Sequence, residues 1–168
     1  MNTDLVISKI DHLKKNKDLG TIPFFDNQKS NCIGTAAFVL SFDTLLKSYF
    51  EERIKNRNIP YLDRTYINPT NIVILPENKD RPGFSGILPF KLFLEESNFF
   101  QKTYSPEEYD LVVFRDSKQK IIRHVGVYFD EKFMFHQHNL GGEFEIIDQN
   151  LYKLNHHMLF KEFYKHTN

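Results

Sequence analysis

The chain has few of the features that mark several large protein classes. One cysteine among 168 residues cannot form an internal disulfide, so the fold does not depend on oxidation. Charge of one sign is not in excess, because 22 Lys and Arg residues balance 22 Asp and Glu residues. A general nucleic-acid-binding protein needs a basic surface that releases counterions from phosphates. The composition therefore predicts a protein that does not bind nucleic acid.

Long apolar segments are missing as well. The apolar runs are shorter than the roughly 20 residues that a membrane-spanning helix needs. The first residues, MNTDLVISKIDHLKK, lack the cationic start and the apolar run of a signal peptide. We therefore expect no membrane span, and a location in the cytoplasm or outside the cell by a route without a cleaved signal.

The chain does contain enough apolar side chain for one packed core. Hydrophobic residues make up 40% of it and aromatic residues 15%, which argues against general disorder. Apolar spacing predicts a helix over 4–15 and a buried helix from about 32 to 48. Strand patterns cover 111–114, 125–129, 132–136 and 143–147. We predict one α+β domain over residues 1–168, with the buried helix packed on an antiparallel sheet of consecutive hairpins.

Cys32 stands at the start of the predicted buried helix, directly after Asn31, a suitable N-cap residue. The helix dipole and the free N–H groups there are expected to lower the pKa of the thiol and to favour the thiolate. The same N–H groups can hold the oxyanion of a tetrahedral intermediate, together with a donor from the loop between Gln28 and Asn31. Taken alone, a cysteine beside Ile33 is more often a small buried hydrophobe.

His124 and His136 lie near the outer ends of a predicted hairpin. If Tyr128 pairs with Lys132 around a turn at Asp130, the two histidines lie directly opposite each other and share one face of the sheet. A two-residue turn would instead send them to opposite faces. With an odd-length turn, one imidazole can act as a base for the thiol while the other orients it.

Three segments of the C-terminal half carry a family pattern: YDLVVF at 109–114, HVGVYF at 124–129 and FMFH at 133–136. They resemble the catalytic half of the NlpC-type cell-wall peptidases, which are small papain-like thiol hydrolases. The segment NCIG at 31–34 is similar to the D-C-S-G motif around the nucleophile of that family. The resemblance implies a papain-like fold in which Cys32 is the nucleophile, and it implies no cofactor and no metal.

The same resemblance assigns the other roles. His124 corresponds to the general base, and His136 to the residue that orients it. Supporting candidates are His138, Asn31, Gln28 and Tyr128. Residues of about 53–104 exceed the compact core of the family, so we expect an insertion or lid near the cleft.

The resemblance implies hydrolysis of an amide bond in a peptidoglycan peptide or a protein. Deamidation and acyl transfer use the same acyl-enzyme and remain alternatives. A catalytically inactive papain-like binding module is a third alternative. A fourth is a zinc hydrolase, in which His124, His136 and His138 offer three imidazoles from one sheet face.

Overall fold

The computed structural model describes residues 2–15, 32–55, 67–68, 71–72, 87–115, 122–138, 142–155, 158 and 160–167. Its helices are α1 (Thr3–Lys15), α2 (Cys32–Val39), α3 (Asp43–Lys55), α4 (Ile87–Glu96) and α5 (Gln149–Asn155). Its strands are β1 (Ile67–Asn68), β2 (Asn71–Ile72), β3 (Phe100–Thr103), β4 (Leu111–Arg115), β5 (Ile122–Tyr128), β6 (Phe133–Gln137), β7 (Phe144–Asp148) and β8 (Phe160–His166).

Six of the strands form one antiparallel sheet with the order β3-β8-β4-β5-β6-β7. The strands β4 to β7 are joined as consecutive hairpins, as the sequence predicts. The strand β8 returns from the C-terminal end and lies between β3 and β4, while β1 and β2 pair separately. The predicted α+β class with an antiparallel sheet is confirmed.

Both faces of this sheet are covered by apolar side chains. Along β4, Leu111 and Val113 belong to a large cluster that includes α1 and α2, whereas Val112 and Phe114 belong to a smaller cluster on the other face. Side chains alternate between the faces of a strand, so a strand buried on both faces is apolar throughout. We call these the helix face and the opposite face. The helix α2 packs on the helix face, against β5 and β6.

The predicted single helix from about 32 to 48 is wrong, because α2 and α3 are separate helices. The N–H of Phe42 donates to the carbonyl of Ala37 at 2.9 Å, and the N–H of Ser41 donates to the carbonyl of Phe38 at 3.2 Å. This pair of bonds is a Schellman motif, which ends a helix with one residue in the left-handed region. Ser41 is that residue, with φ of 63°. Glycine usually occupies this position, so the sequence carried no obvious stop signal.

Other predicted elements have mixed outcomes. The helix predicted over 4–15 is α1, and the strands predicted between 111 and 147 are β4 to β7 with ends that differ by at most three residues. The C-terminal segment 152–164, for which no element is predicted from the sequence, contains the end of α5 and most of β8. The edge strand β3 was not predicted.

The segment of about 53–104, expected to be an insertion or lid, is described in part. From residue 87 onward it forms α4 and β3, and Phe90, Phe93 and Phe100 of these elements lie in the core of the helix face. Most of the rest lies outside the described residues, so the lid stays a prediction. Among the described helices, none combines the length and apolar character that crossing a membrane would require.

Candidate active site

The hairpin of β5 and β6 has a different register from the one predicted. Tyr128 pairs with Met134, and Val127 pairs with Phe135. The predicted pairing of Tyr128 with Lys132 is therefore wrong by two residues, and so is the prediction that the two histidines lie directly opposite each other. A displacement of two residues preserves the face on which each side chain lies, because the side-chain period of a strand is two.

Five residues lie between Tyr128 and Met134, the last described pair of this ladder, an odd number, as the shared-face prediction required. Its compact end is formed by Asp130, whose Oδ1 accepts hydrogen bonds from the backbone N–H groups of Lys132 and Phe133, each at 2.7 Å. The side chain of Asp130 thus closes the turn, so that no glycine is needed there. His124 and His136 lie on the opposite face as diagonal neighbours rather than as a directly opposed pair.

Two backbone features of β5 adjoin His124. The pairing with β4 shifts by one residue between Phe114 and Arg115, which marks a β-bulge beside the histidine. Two residues further on, a Cβ added to Gly126 would lie 3.0 Å from the carbonyl oxygen of Phe135. The glycine therefore permits a close approach of β6 that larger residues would resist.

The two imidazoles bond directly to each other. Nε2 of His124 lies 2.8 Å from Nδ1 of His136, and both side chains are buried. One of these nitrogens must carry the proton and the other must accept it. Because the bond uses Nε2 of His124, a bond between this ring and the thiol would have to use Nδ1.

A carboxylate lies at the far end of this pair. His136 in β6 pairs with Glu145 in β7, and Nε2 of His136 lies 3.3 Å from Oε1 of Glu145. The contact is at an ion-pair distance, and the negative charge of the carboxylate favours a proton on Nε2 of His136. Nδ1 of His136 is then an acceptor, and His124 donates to it through Nε2–H.

The cysteine reaches this group from the other face of the sheet. Cys32 is the first residue of α2 and packs at the margin of the helix-face core. Backbone groups of successive residues in a strand point to alternate neighbours, and Tyr128 bonds to the β4 side through Asp110. The backbone N–H of Val125 therefore points towards β6. The two described pairs of the β5–β6 ladder do not include Val125, and its N–H donates to the Cys32 sulfur.

The pKa of the Cys32 thiol does not fall as the sequence predicted. Burial raises it to about 11, and hydrogen bonds from the backbone N–H groups of Val125, Ile33 and Cys32 itself only partly offset this. The expected N–H groups at the helix start are present, but their effect is smaller than the desolvation of the charged sulfur. The thiol is therefore protonated at neutral pH until a base removes its proton.

A buried hydrogen bond fixes α2 to the strand that carries His136. The hydroxyl of Thr35 donates to Oε1 of Gln137 at 2.8 Å, and Nε2 of Gln137 donates to the carbonyl of Gly142 at 3.0 Å. Gln137 points to the helix face because it alternates with His136 along β6. The strand β6 therefore holds α2 through Gln137 on the helix face and carries His136 on the opposite face.

Tyr152 of α5 covers the two imidazoles. Its ring centroid lies 4.6 Å from that of His124 and 5.1 Å from that of His136. Burial raises the pKa of its hydroxyl, and the acidic groups of Cys32 and Glu145 raise it further. Tyr152 thus contacts both imidazoles and lies close enough to the sulfur and to the carboxylate for both to act on its pKa.

The supporting candidates are distributed differently. Gln28 and Asn31 lie outside the described residues. The ring of Tyr128 packs on Phe163 at 5.1 Å, within the apolar cluster of the opposite face. The ring of His138 lies 6.0 Å from that of His136. His138 is thus near the imidazole pair, but the direct bond of that pair joins His124 and His136.

The grouping predicted for a metal has a different third member. Ligand atoms of His136, His138 and Glu145 all lie within 4.8 Å of one another, whereas His124 bonds to His136. Glu145 and Tyr152 were not predicted as site residues. The predicted strand over 143–147 could have placed Glu145 opposite His136, but only with the correct length of the turn before it. Tyr152 reaches the site through tertiary packing.

The chain matches no protein-family model and no curated protein. The resemblance to the NlpC-type peptidases therefore stays a prediction.

Proposed function

We propose that this protein is a papain-like thiol hydrolase that cleaves an amide bond through an acyl-enzyme on Cys32. The observation that supports it most is the 2.8 Å bond between His124 and His136, because Val125, the residue after His124, bonds through its backbone to a cysteine at a helix N-terminus. A nucleophile, a base and a group that orients the base are the parts that such catalysis needs.

The order of protons follows from the acceptors. The negative charge of Glu145, 3.3 Å from Nε2 of His136, favours a proton on that nitrogen, and Nδ1 of His136 then accepts from Nε2–H of His124. This assignment comes from the hydrogen-bond network. It leaves Nδ1 of His124 without a proton and therefore basic, which is the state a general base requires.

The reaction then runs in two halves. As the sulfur attacks the carbonyl carbon, His124 takes the thiol proton, and it gives that proton to the leaving amine when the C–N bond breaks. Water next attacks the thioester, loses a proton to His124 and releases the acid, while the proton returns to the sulfur. The N–H groups of Cys32 and Ile33 at the start of α2, which bond to the sulfur, are the donors proposed for the developing oxyanion.

A thiol pKa of about 11 favours proton transfer during the attack over a thiolate formed beforehand. The substrate class is a peptide or an amide, with a peptidoglycan peptide or a protein as the source. Water as acceptor makes the enzyme a peptidase or amidase, a glutamine side chain as substrate makes it a deamidase, and an amine as acceptor makes it an acyltransferase. All of these outcomes share the acyl-enzyme.

The acyl-enzyme itself is the test, with p-nitrophenyl acetate as the acyl donor. We expect release of p-nitrophenolate and one acetyl group on Cys32 by peptide mass spectrometry. His124→Ala should slow acylation by roughly 100-fold or more, as general-base loss does. His136→Ala should also slow it, and His136→Asn should restore part of the rate because its carbonyl oxygen can accept from His124.

His12→Ala, a change of an exposed histidine on α1, is the matched control and should keep the parent rate. Equal acylation rates in the parent and in His124→Ala would overturn the proposal. So would acetylation that persists in Cys32→Ser.

A further inference from the structure

Ligand atoms of His136, His138 and Glu145 lie close together, and His136 also bonds to His124. We propose that His136, His138 and Glu145 form a binding site for a divalent transition metal such as Zn²⁺, and that the bound metal switches the thiol site off. The metal site stands on its own geometry, whereas the switch rests on the proposed function.

The geometry of the ligands supports the site. His136 and Glu145 face each other on adjacent strands, and His138 follows His136 by two residues on the same face. Oε1 of Glu145 lies 3.3 Å from Nε2 of His136, close to the separation of about 3.4 Å between ligand atoms that bond a tetrahedral zinc ion. The three ligand atoms lie within 4.8 Å of one another, so small rotations of His138 and Glu145 complete the set.

The types of ligand decide which metal fits. Two imidazoles and one carboxylate suit zinc, whereas magnesium and calcium prefer oxygen ligands alone. Three protein ligands leave a fourth position of a tetrahedral ion to water. Glu145 is 42% exposed, so the ion can enter from solvent, while the side chain of His136 is fully buried and supplies a fixed anchor.

The bond to His124 provides the outer support of the site. A histidine that binds zinc through one nitrogen usually donates the N–H of its other nitrogen to a nearby acceptor. With the metal on Nε2, His136 carries its proton on Nδ1 and donates it to Nε2 of His124. The 2.8 Å separation serves this bond equally well, but the direction of donation is reversed.

This reversal acts on the base. A neutral His124 that accepts at Nε2 must carry its proton on Nδ1, the nitrogen that would otherwise take the proton of Cys32. One proton leaves Nε2 of His136 for water and one is taken up at Nδ1 of His124, so the protonation count is unchanged. The thiol keeps its proton, and acylation stops. Metal binding therefore controls the site through a tautomer, without any change of fold.

Zinc binding is measured first, by titration calorimetry in Cys32→Ser, which removes the thiol as a competing ligand. We expect one Zn²⁺ per chain. His138→Ala and Glu145→Gln, each made in Cys32→Ser, should weaken binding by at least about 100-fold, the upper end of the loss seen for outer-shell changes. Stoichiometric binding that neither change weakens, or no binding at all, would overturn the metal site.

The switch is tested with the same acetylation assay in the chain with Cys32 intact. Zinc should abolish acylation of the parent, and His138→Ala, compared with its own zinc-free rate, should lose sensitivity to zinc. If His138→Ala remains equally sensitive, zinc acts directly on the thiol and the switch is wrong. ¹⁵N spectra of the histidines should show the proton of His124 moving from Nε2 to Nδ1 when zinc is added.

The two proposals fail in different ways. If neither the parent nor any variant forms an acetyl-enzyme but zinc binds through His136, His138 and Glu145, the metal site is supported and the proposed hydrolase is wrong. If acylation depends on His124 but zinc does not bind in Cys32→Ser, the hydrolase stands and the metal site does not.

Discussion

At the scale of single residues, the pKa of the Cys32 thiol depends on two opposing effects: burial raises it and backbone hydrogen bonds lower it. A pKa of about 11 in place of about 9 leaves about 100-fold less thiolate at pH 8. A more basic thiolate is a better nucleophile, which offsets this by about tenfold. Iodoacetamide should therefore alkylate the folded protein about tenfold more slowly than the urea-denatured chain at pH 8.

The sign of the pH dependence follows from the raised pKa. The folded-state rate should keep rising through pH 9 and 10, whereas the rate of the denatured chain should level off above about pH 9. The measurement is the rate of alkylation by mass spectrometry between pH 7 and 10.5. A folded-state plateau below pH 8.5 would contradict the burial argument and would indicate a thiolate formed before substrate arrives.

Residues that act through long-range pairing were the ones the sequence did not reveal. Cys32, His124 and His136 could be proposed because each stands at an end of a predicted element. Glu145 needed the exact length of the turn before β7, and Tyr152 needed the packing of α5 on the opposite face. The thiol pKa was predicted with the wrong sign because helix-end N–H groups can be seen in a sequence while burial cannot.

At the scale of elements, the hydrogen bond between Thr35 and Gln137 connects α2 with β6 and so positions Cys32 relative to His136. Thr35→Val keeps the shape of the side chain but removes the donor to a buried amide oxygen. We expect a loss of about 1–3 kcal/mol in the free energy of unfolding, the range for a buried polar group deprived of its partner. Urea denaturation measures it.

Thr35→Ser is the matched control, because it retains the hydroxyl and removes only a methyl group. It should recover most of the stability, and it should also recover acetylation of Cys32 if this bond positions the helix. A Thr35→Val protein as stable and as readily acetylated as the parent would show that α2 is held by apolar packing alone.

Element types were easier to predict than their ends and registers. The strands β4 to β7 follow from apolar and aromatic runs bounded by turns. The end of α2 was missed because Ser41 occupies a position that glycine usually marks, and the β5–β6 register was missed because Asp130 closes a five-residue turn with its side chain. In both places a polar residue takes a role for which glycine is the usual sign in a sequence.

At the scale of the whole molecule, the sheet is completed by β8, which brings the C-terminal end between β3 and β4. Glu162 of β8 holds both neighbours: it lies 2.6 Å from Nζ of Lys102 in β3 and 2.6 Å from Nε of Arg115 in β4. Tyr164 donates to the same carboxylate at 3.0 Å. Side chains of three strands thus converge on one partly buried anion.

This convergence predicts how stability depends on acid. Burial alone would raise the pKa of Glu162, but the hydrogen bonds from Lys102 and Arg115 outweigh it and hold the pKa below its usual range. A carboxyl with a lower pKa in the folded state stabilises the protein at neutral pH, and this contribution is lost as the pH falls through the folded-state pKa. Glu162→Gln removes the titrating group while keeping its size.

We expect Glu162→Gln to lower the free energy of unfolding by about 1–3 kcal/mol at pH 7, because the partly buried Arg115 loses its anion. At a pH below the folded-state pKa of Glu162 the parent carboxyl is also neutral, so the two proteins should unfold at similar urea concentrations. Glu145→Gln, which changes a more exposed carboxylate, is the matched control and should keep most of the acid dependence of the parent. A difference between parent and Glu162→Gln that stays constant from pH 7 to pH 3 would show that the charge of Glu162 does not hold β8 in the sheet.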